Sequence, residues 1–371
     1  MEYQGNRSNK SFSEGYDKLE SLKREYHTLP NSQQRIEVIQ EFIAEADRLK
    51  YPKEQLIGRY ELAWTYVFAT DPAKALPVCA EYMGLQNDNP GASGEVEGAA
   101  VVSISMLAAS LARRLPQIPL EQCKALLAEF RRQVDKYGLG ERLWQCHAAE
   151  LAMMTGDLTA LKNHLDKFRT ALRDEVSDCE VCETAEIGEF MMALGRNEDA
   201  AEIAADLLEK GKYCEEQPWR LLSILADDAL NKRDTDSAER FATAMLIQPI
   251  TKATQLRCAG TLLRMEAAFS AGQDGIDVFE KCLPWSYSLW DKELLFYFYI
   301  GSSVFFSALD KQKKEVSLSL DAKFPLYEKN GIYSCHTLAE WFKNQAEIIA
   351  EKFDNRNGNN IYKANLNAAL C

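Results

Sequence analysis

Short polar turns recur at regular intervals along almost the whole chain. They fall at Asp71, Leu115, Gly156, Gly195, Arg233, Gly272 and Asp310, and the intervals between them are 44, 41, 39, 38, 39 and 38 residues. Each turn lies between two stretches that have the apolar spacing of a helix. This period predicts stacked helical hairpins, because each hairpin then buries its apolar face against its neighbours rather than in one closed core.

The sequence therefore predicts an all-α protein, a right-handed α-solenoid of about seven helical hairpins with a C-terminal capping helix. The last hairpin is expected at 290–309 and 311–328, with the apolar run 293–309 as a fully buried helix. The expected organisation is a disordered N-terminus at 1–12, N-terminal hairpins at 13–85, a loop at 86–95, helical repeats at 95–328, a capping helix at 334–353 and a flexible tail at 354–371. No strand-like alternation competes with this assignment.

Small residues occur at fixed positions around several of the turns. Gly188 lies seven residues before the turn at Gly195, and Ala200 lies five residues after it. Ala226 and Ala238 take the same two positions around Arg233. In this spacing, over about 53–282, the chain resembles tetratricopeptide (TPR) repeats, a family in which small residues let the two helices of a hairpin approach closely. The resemblance implies an α-solenoid that binds peptides or proteins on its concave face.

The negative charge of the chain is concentrated in one segment. The formal net charge is −13, and the segment 174–228 contains sixteen acidic residues but only four basic ones. Such a segment repels phosphate backbones, so we expect no nucleic-acid partner. Two alternatives stay open: the acidic residues attract a basic partner segment, or they form a solvated outer face.

Two further sequence features bear on location. The opening residues are polar and contain no apolar stretch, so we expect no secretory signal. The most apolar run is too short for a membrane span and contains polar residues, so we expect no membrane association. Ten cysteines without such a signal indicate reduced thiols, and the expected location is cytoplasmic.

Cys179 and Cys182 form the only short chemical motif, a C-x2-C pair. It could supply two metal ligands, with Cys146 and His147 or Cys214 as further ligands, or it could be a redox pair. It could equally be two unconnected thiols at the start of a helix. No motif for phosphate binding or nucleophilic catalysis occurs. We therefore assign no catalytic residue, no cofactor and no metal, and Cys371 is expected to be an exposed thiol.

The candidate partner-binding residues lie in the first helices of the predicted hairpins, which line the concave face of TPR arrays. They are Trp64, Arg142, Trp144, Glu183, Glu186, Trp219 and Arg220. Tryptophan and arginine dominate binding hot spots, although each tryptophan could instead fill the core between repeats. The glutamates are expected to select a basic segment.

The leading functional hypothesis is a non-enzymatic scaffold that binds a peptide or protein segment on its concave face. The alternative is a peptide-responsive regulatory switch, because the chain is similar in length and layout to the bacterial Rap-type peptide receptors. The sequence does not indicate the identity of the partner or the oligomeric state.

Overall fold

The computed structural model describes residues 5–69, 72–89 and 98–371. The turn expected at Asp71 and residues 90–95 of the expected loop lie outside these ranges. In the described residues, 76% are helical and there are 17 α-helices, so the all-α prediction is confirmed. The helices are α1 (Gly5–Thr28), α2 (Gln33–Leu49), α3 (Pro52–Ala69), α4 (Ala75–Asp88), α5 (Gly98–Arg114), α6 (Leu120–Tyr137), α7 (Glu141–Thr155), α8 (Leu158–Thr170), α9 (Glu180–Ala193), α10 (Asn197–Glu209), α11 (Trp219–Asn231), α12 (Thr235–Met245), α13 (Leu256–Phe269), α14 (Gln273–Ser286), α15 (Lys292–Gln312), α16 (Cys335–Asn357) and α17 (Ile361–Leu370).

The turns between helices follow from local residue chemistry. Gly156 and Gly195 adopt positive φ angles of 76° and 74° between α7 and α8 and between α9 and α10, a conformation that glycine adopts without strain. The carboxylates of Asp157 and Asp234 then accept backbone N–H groups in the first turns of α8 and α12. These local signals place the breaks between helices at the turns that the sequence predicts near Gly156, Gly195 and Arg233.

The chain divides into two compact units. The first consists of residues 1–147 and 172–177, and the second of 148–171 and 178–371. In the first unit, each helix from α1 to α5 packs on the next helix in the chain. A small core of Val102, Phe130, Val134 and Leu143 lies beneath α5 and α6. This successive packing is compatible with a helical repeat.

In the second unit, the first helices of successive hairpins pack against one another. Helix α9 contacts α11, α11 contacts α13, and α13 packs extensively on α15, which in turn packs on α16. The core is rich in aromatic rings, among them Phe279, Phe298, Phe306 and Phe342. The run 293–309 is helical and lies in α15, but it is not fully buried as expected: ten residues of α15 are buried, whereas Ser307 is exposed.

The prediction of a helical hairpin at 290–328 is wrong for its second helix, 311–328. Helix α15 continues through Asp310, and the following residues form β1 (Glu315–Ser317), which pairs antiparallel with β2 (Ile332–Ser334). Val316 and Leu318 are buried while the residues beside them are exposed. This alternation at 316, 318 and 320 is the strand signal that the helical interpretation missed.

The two termini also differ from expectation. Helix α1 begins at Gly5, inside the segment 1–12 that we expected to be disordered. The tail expected to be flexible contains α17, in which Tyr362 and Leu366 are buried. Two such residues four positions apart lie on one side of a helix, and their packing offsets the entropy of ordering the tail.

Candidate functional site

The charges of four carboxylates act on one guanidinium group in the second unit, and we call this set the Arg220 cluster. Arg220 lies on α11, and the carboxylates come from α7, α9 and α15: Glu150, Glu186, Glu189 and Glu293. Burial lowers the pKa of Arg220, but the four negative charges outweigh it and raise that pKa well above its usual value. The Arg220 side chain keeps 27% of its surface accessible, so solvent reaches part of this side chain.

Glu189 anchors the Arg220 cluster. Its Oε2 accepts a hydrogen bond from Arg220 Nη2 at 2.6 Å, and its Oε1 accepts one from Gln217 Nε2 at 2.8 Å. The side chain of Glu189 is only 4% exposed, so this pairing is shielded from solvent. Glu186, one turn earlier on the same helix, and Glu293 are only partly buried. These two carboxylates are the ones that a bound cationic group could approach.

A second ionic group lies on α11 and α13. Asp227 accepts hydrogen bonds from Arg264 at 2.7 Å and from Arg257 at 3.5 Å, and all three side chains are at most 12% exposed. The Arg257 guanidinium also lies 3.5 Å from the centre of the Tyr297 ring, a cation–π contact. With two guanidinium groups and one carboxylate, this group carries a formal charge of +1.

Helix α17 lies beside the Arg220 cluster. It packs against α11, α15 and α16, and the Tyr362 hydroxyl donates to Glu293 Oε1 at 3.3 Å. The Tyr362 ring stacks on Phe353 with centroids 4.5 Å apart and meets Phe296 edge-on at 5.2 Å. The face formed by the first helices of the second unit therefore accommodates a helical segment, here one from the same chain.

The structure brings together Glu186 and Arg220 of the predicted binding residues. Trp219, beside Arg220 in sequence, is 3% exposed, and its indole N–H donates to the Cys214 carbonyl at 3.1 Å. Glu183, also on α9, is 2% exposed. Trp219 and Glu183 are thus part of the packed interior, and their contact with a partner stays a prediction.

The other predicted binding residues belong to the first unit. The Trp144 indole donates to the Leu127 carbonyl at 3.1 Å and lies 4.9 Å from the Arg131 guanidinium, so it is held between α6 and α7. Arg142, in the first turn of α7, is partly exposed. The binding role of these two residues also stays a prediction.

Trp64 packs against an exposed aromatic side chain. Its ring stacks on Phe68 with centroids 5.7 Å apart, and Phe68 is 66% exposed. The two rings form an aromatic surface near the end of α3, which can contact a partner without rearrangement of the core.

Three sulfur atoms converge in the second unit. Cys179 and Cys182 lie at the start of α9, and Cys214 lies in the loop before α11. Their Sγ atoms are all within 4.8 Å of one another, and the Sγ atoms of Cys182 and Cys214 are 3.4 Å apart. The hydrogen bond between the latter two lowers the pKa of Cys214 and raises that of Cys182, because the two sulfurs share a proton. Of the further ligands considered from the sequence, Cys214 is the one that joins the pair.

Sequence reasoning missed Glu150, Glu189 and Glu293 as site residues. Glu189 is three residues from Glu186, so helical spacing could have placed it on the same side of α9. Glu150 and Glu293 are far apart in sequence, and only the packing of α7 and α15 brings them to Arg220.

Comparison with protein-family models, with characterised proteins and with solved structures gave no significant match. The TPR resemblance is therefore supported by the arrangement of helices alone. Within the described part of the chain, no helix has the length and apolar character needed to cross a membrane.

Proposed function

We propose that this protein is a non-enzymatic helical-repeat scaffold that binds a peptide or protein segment carrying basic residues. The observation that carries the proposal is the Arg220 cluster, in which the charges of four carboxylates act on a single guanidinium group that is partly accessible to solvent. A lysine or arginine of a partner segment would form charge-assisted hydrogen bonds with the partly buried Glu186 and Glu293. Because Glu186 and Glu293 are partly buried, such pairs are less screened by solvent than pairs on an open surface.

The architecture in this proposal is a right-handed, TPR-like solenoid of about seven hairpins. Its support is the burial of small residues at the positions where that family requires them. Ala200, Ala226 and Ala238 are fully buried, and a Cβ added at Gly188 would lie 2.7 Å from the side chain of Leu221 on α11, the first helix of the next hairpin. The first helices of such an array line a concave face, and α9, α11 and α15 carry most of the Arg220 cluster. A cytoplasmic location belongs to the same proposal.

The test is a selection of peptides from a random phage-displayed library with the purified chain, followed by affinity measurements. We expect the selected peptides to contain lysine or arginine. We also expect Glu186→Lys to weaken their binding by roughly tenfold, equivalent to about 1.4 kcal/mol, because it replaces attraction by repulsion. The matched control is Glu202→Lys, the same charge reversal on the exposed side of α10.

Selected peptides that bind wild type and Glu186→Lys equally would contradict the assigned site. Equal weakening by the control would show that only overall charge matters. A library that yields no binder would contradict the scaffold function itself.

The position of α17 favours a second candidate, a peptide-responsive regulatory switch. An incoming segment would compete with α17 for α11 and α15, and the release of α17 would then be the signal. In that case, removal of residues 359–371 should increase the affinity for selected peptides, and peptide binding should change the radius of gyration measured by solution scattering. If neither changes, the scaffold proposal stands without the switch.

A further inference from the structure

The three converging cysteines have the number and spacing of a metal-binding set. A tetrahedral ion with metal–sulfur bonds of about 2.3 Å holds its sulfurs about 3.8 Å apart. The three Sγ atoms here are separated by no more than 4.8 Å, and the closest two by 3.4 Å, so small rotations of the side chains would complete the geometry. The six other cysteines that are buried, such as Cys79 and Cys258, belong to no such group among the described residues.

Backbone N–H groups donate hydrogen bonds to two of these sulfurs and favour their thiolate form. The N–H of Cys182 donates to Cys179 Sγ at 3.2 Å, and the N–H of Gln217 donates to Cys214 Sγ at 3.4 Å. In each case the residue that donates its N–H lies three positions after the cysteine whose sulfur accepts it. Such hydrogen bonds stabilise a thiolate, which is the form that binds a metal. Cys179 also caps the N-terminus of α9, where the helix dipole favours negative charge.

The surrounding charge favours a cation between the sulfurs. Asp178, Glu180, Glu215 and Glu216 flank the cysteines in sequence, and Lys212 and Lys252 pair with Glu180 and Glu215, so these six side chains carry a formal net charge of −2. Three thiolates among these carboxylates would repel one another, and a bound dication removes that repulsion. Cys179 is exposed, and Cys182 and Cys214 are partly exposed, so an ion can enter from solvent.

We propose that Cys179, Cys182 and Cys214 form a site for Zn²⁺, with three thiolate ligands. Thiolate ligands in this geometry select a thiophilic ion, and Zn²⁺ is the divalent ion that four-coordinate thiolate sites commonly hold. Each thiol that binds releases its proton to solvent, and no electron is transferred. No fourth side chain of the histidine, cysteine or carboxylate type shares the same spacing among the described residues, so water takes the fourth position.

The bound ion would connect two successive hairpins. Cys179 and Cys182 lie at the start of the hairpin of α9 and α10, and Cys214 lies just before α11, the first helix of the next hairpin. Gln217, which donates its backbone N–H to Cys214, also donates its side-chain amide to Glu189 of the Arg220 cluster. The proposed metal site does not depend on peptide binding, because it rests on the distances between the three sulfur atoms.

A redox disulfide is the main alternative use of these cysteines. It requires only two sulfurs, at about 2.05 Å, whereas three converge here and the closest pair is 3.4 Å apart. The amide donors to Cys179 and Cys214 are also placed to hold separate thiolates. The experiment therefore includes a disulfide as a distinguishable outcome.

The test is a titration of the reduced, metal-free full-length chain with Co²⁺ and then Zn²⁺ under anaerobic conditions. We expect one Co²⁺ per chain, with a thiolate-to-cobalt charge-transfer band and the visible bands of tetrahedral cobalt, and displacement of Co²⁺ by Zn²⁺. The variants Cys182→Ser and Cys214→Ser should lower the Zn²⁺ affinity by roughly tenfold or more, because each removes a ligand. The matched control is Cys371→Ser, which removes an exposed thiol far along the chain.

Absence of the charge-transfer band in wild type would overturn the proposal, and so would equal loss of affinity in the control. Recovery of a Cys182–Cys214 disulfide, with no metal binding after its reduction, would assign the redox role instead. Circular dichroism of each variant establishes that it is folded, and the exposed Cys179→Ser provides a third variant with little effect on packing.

A second readout is thermal stability. A ligand that binds only the folded state stabilises it in proportion to the logarithm of its concentration. The same Zn²⁺ concentration should therefore raise the melting temperature of wild type and of Cys371→Ser by similar amounts, and that of Cys182→Ser by less because its affinity is lower. An equal rise in all three would indicate weak binding elsewhere and would contradict the site.

Discussion

At the scale of single residues, some acidic side chains of the segment 174–228 are buried inside the protein. Glu189 and Asp227 are 4% and 8% exposed, although the sequence offered either a partner surface or a solvated outer face for this segment. Both lie on first helices, on the side that meets the next first helix, and both pair with arginines. Burial of such charges is tolerated only because each one has a hydrogen-bonded partner.

Among these ion pairs, substitution of Asp227 should reduce the stability of the protein most. We expect Asp227→Ala to lower the free energy of unfolding by about 3–5 kcal/mol, because Arg257 and Arg264 would stay buried without their counter-ion. Urea denaturation followed by circular dichroism measures this. In contrast, Asp166→Ala, which breaks an exposed pair with Lys162, should have little measurable effect. Equal effects of the two substitutions would contradict the assigned importance of burial.

His164 on α8 should make stability depend on pH. Burial and the nearby Lys167 lower its pKa, and Asp157 only partly opposes this. The unfolded chain, with a histidine pKa of about 6.5, therefore binds more protons than the folded chain, and stability should fall as the pH decreases from 6.5 towards the lower folded pKa.

The measurement for His164 is the free energy of unfolding against pH. His164→Gln should reduce the fall in stability below pH 6.5, whereas His336→Gln, on the exposed side of α16, should retain it. A fall that is unchanged in His164→Gln would assign the pH dependence to other groups.

At the scale of elements, the closest packing is between α13 and α15. A Cβ at Gly260 would lie 2.3 Å from the Tyr297 carbonyl oxygen, and one at Gly301 would lie 2.1 Å from the Gly260 carbonyl oxygen. The obstacles are backbone atoms, so they cannot move aside as a side chain could. Two glycines thus allow the backbones of the two helices to meet.

We expect Gly260→Ala to destabilise the protein by roughly 3 kcal/mol, because α13 and α15 would have to separate. Thermal and urea unfolding measure the loss. Gly84→Ala is the matched control, since a Cβ there would meet nothing within 4 Å and alanine is the better helix former. The control should be neutral or slightly stabilising, and a similar loss in both variants would refute the close-packing explanation.

The docking of α17 depends on Asp354 near the end of α16. Its two carboxylate oxygens accept the backbone N–H groups of Tyr362 and Lys363 at 3.0 and 2.9 Å, and the side chain is 7% exposed. These bonds satisfy N–H groups at the start of α17 that have no partner within the helix. Asp354 therefore holds the tail that the sequence suggested would be flexible.

Asp354→Ala should weaken this attachment by about 1–2 kcal/mol and increase amide exchange in residues 361–370. Hydrogen–deuterium exchange with mass spectrometry measures it. Lys363→Ala is the control, because only the backbone of Lys363 takes part and its side chain is exposed. Unchanged exchange in Asp354→Ala would mean that the packing of Tyr362 and Leu366 is sufficient.

At the scale of the whole molecule, the net charge of −13 adds a long-range attraction for basic partners to the local contacts of the Arg220 cluster. An increase in ionic strength from low to physiological should lower the association rate constant of a selected basic peptide by roughly tenfold or more. The dissociation rate should change much less, because the pairs with the partly buried Glu186 and Glu293 are partly shielded from salt. Stopped-flow fluorescence separates the two rates, and an association rate that is independent of salt would rule out steering by charge.

The sequence by itself determined the helical class and the positions of most helices and turns. The apolar period, the glycines at 156 and 195 and the aspartate caps are local, so they act within a few residues wherever the chain folds. The same local signals failed at 311–328, where a helix was predicted but the alternation of apolar residues belongs to a β-strand. They also failed at 354–371, where order depends on contacts with α15 and α16.

Only the tertiary structure decided which residues come together. Cys214 reaches Cys182 across 32 residues, and Glu150 and Glu293 approach the same guanidinium from helices 143 positions apart. It also decided that Trp219 fills the interior while Glu186 stays accessible. The physical reason is that helical spacing defines the faces of one helix, whereas the neighbour that covers each face is set by packing between distant segments.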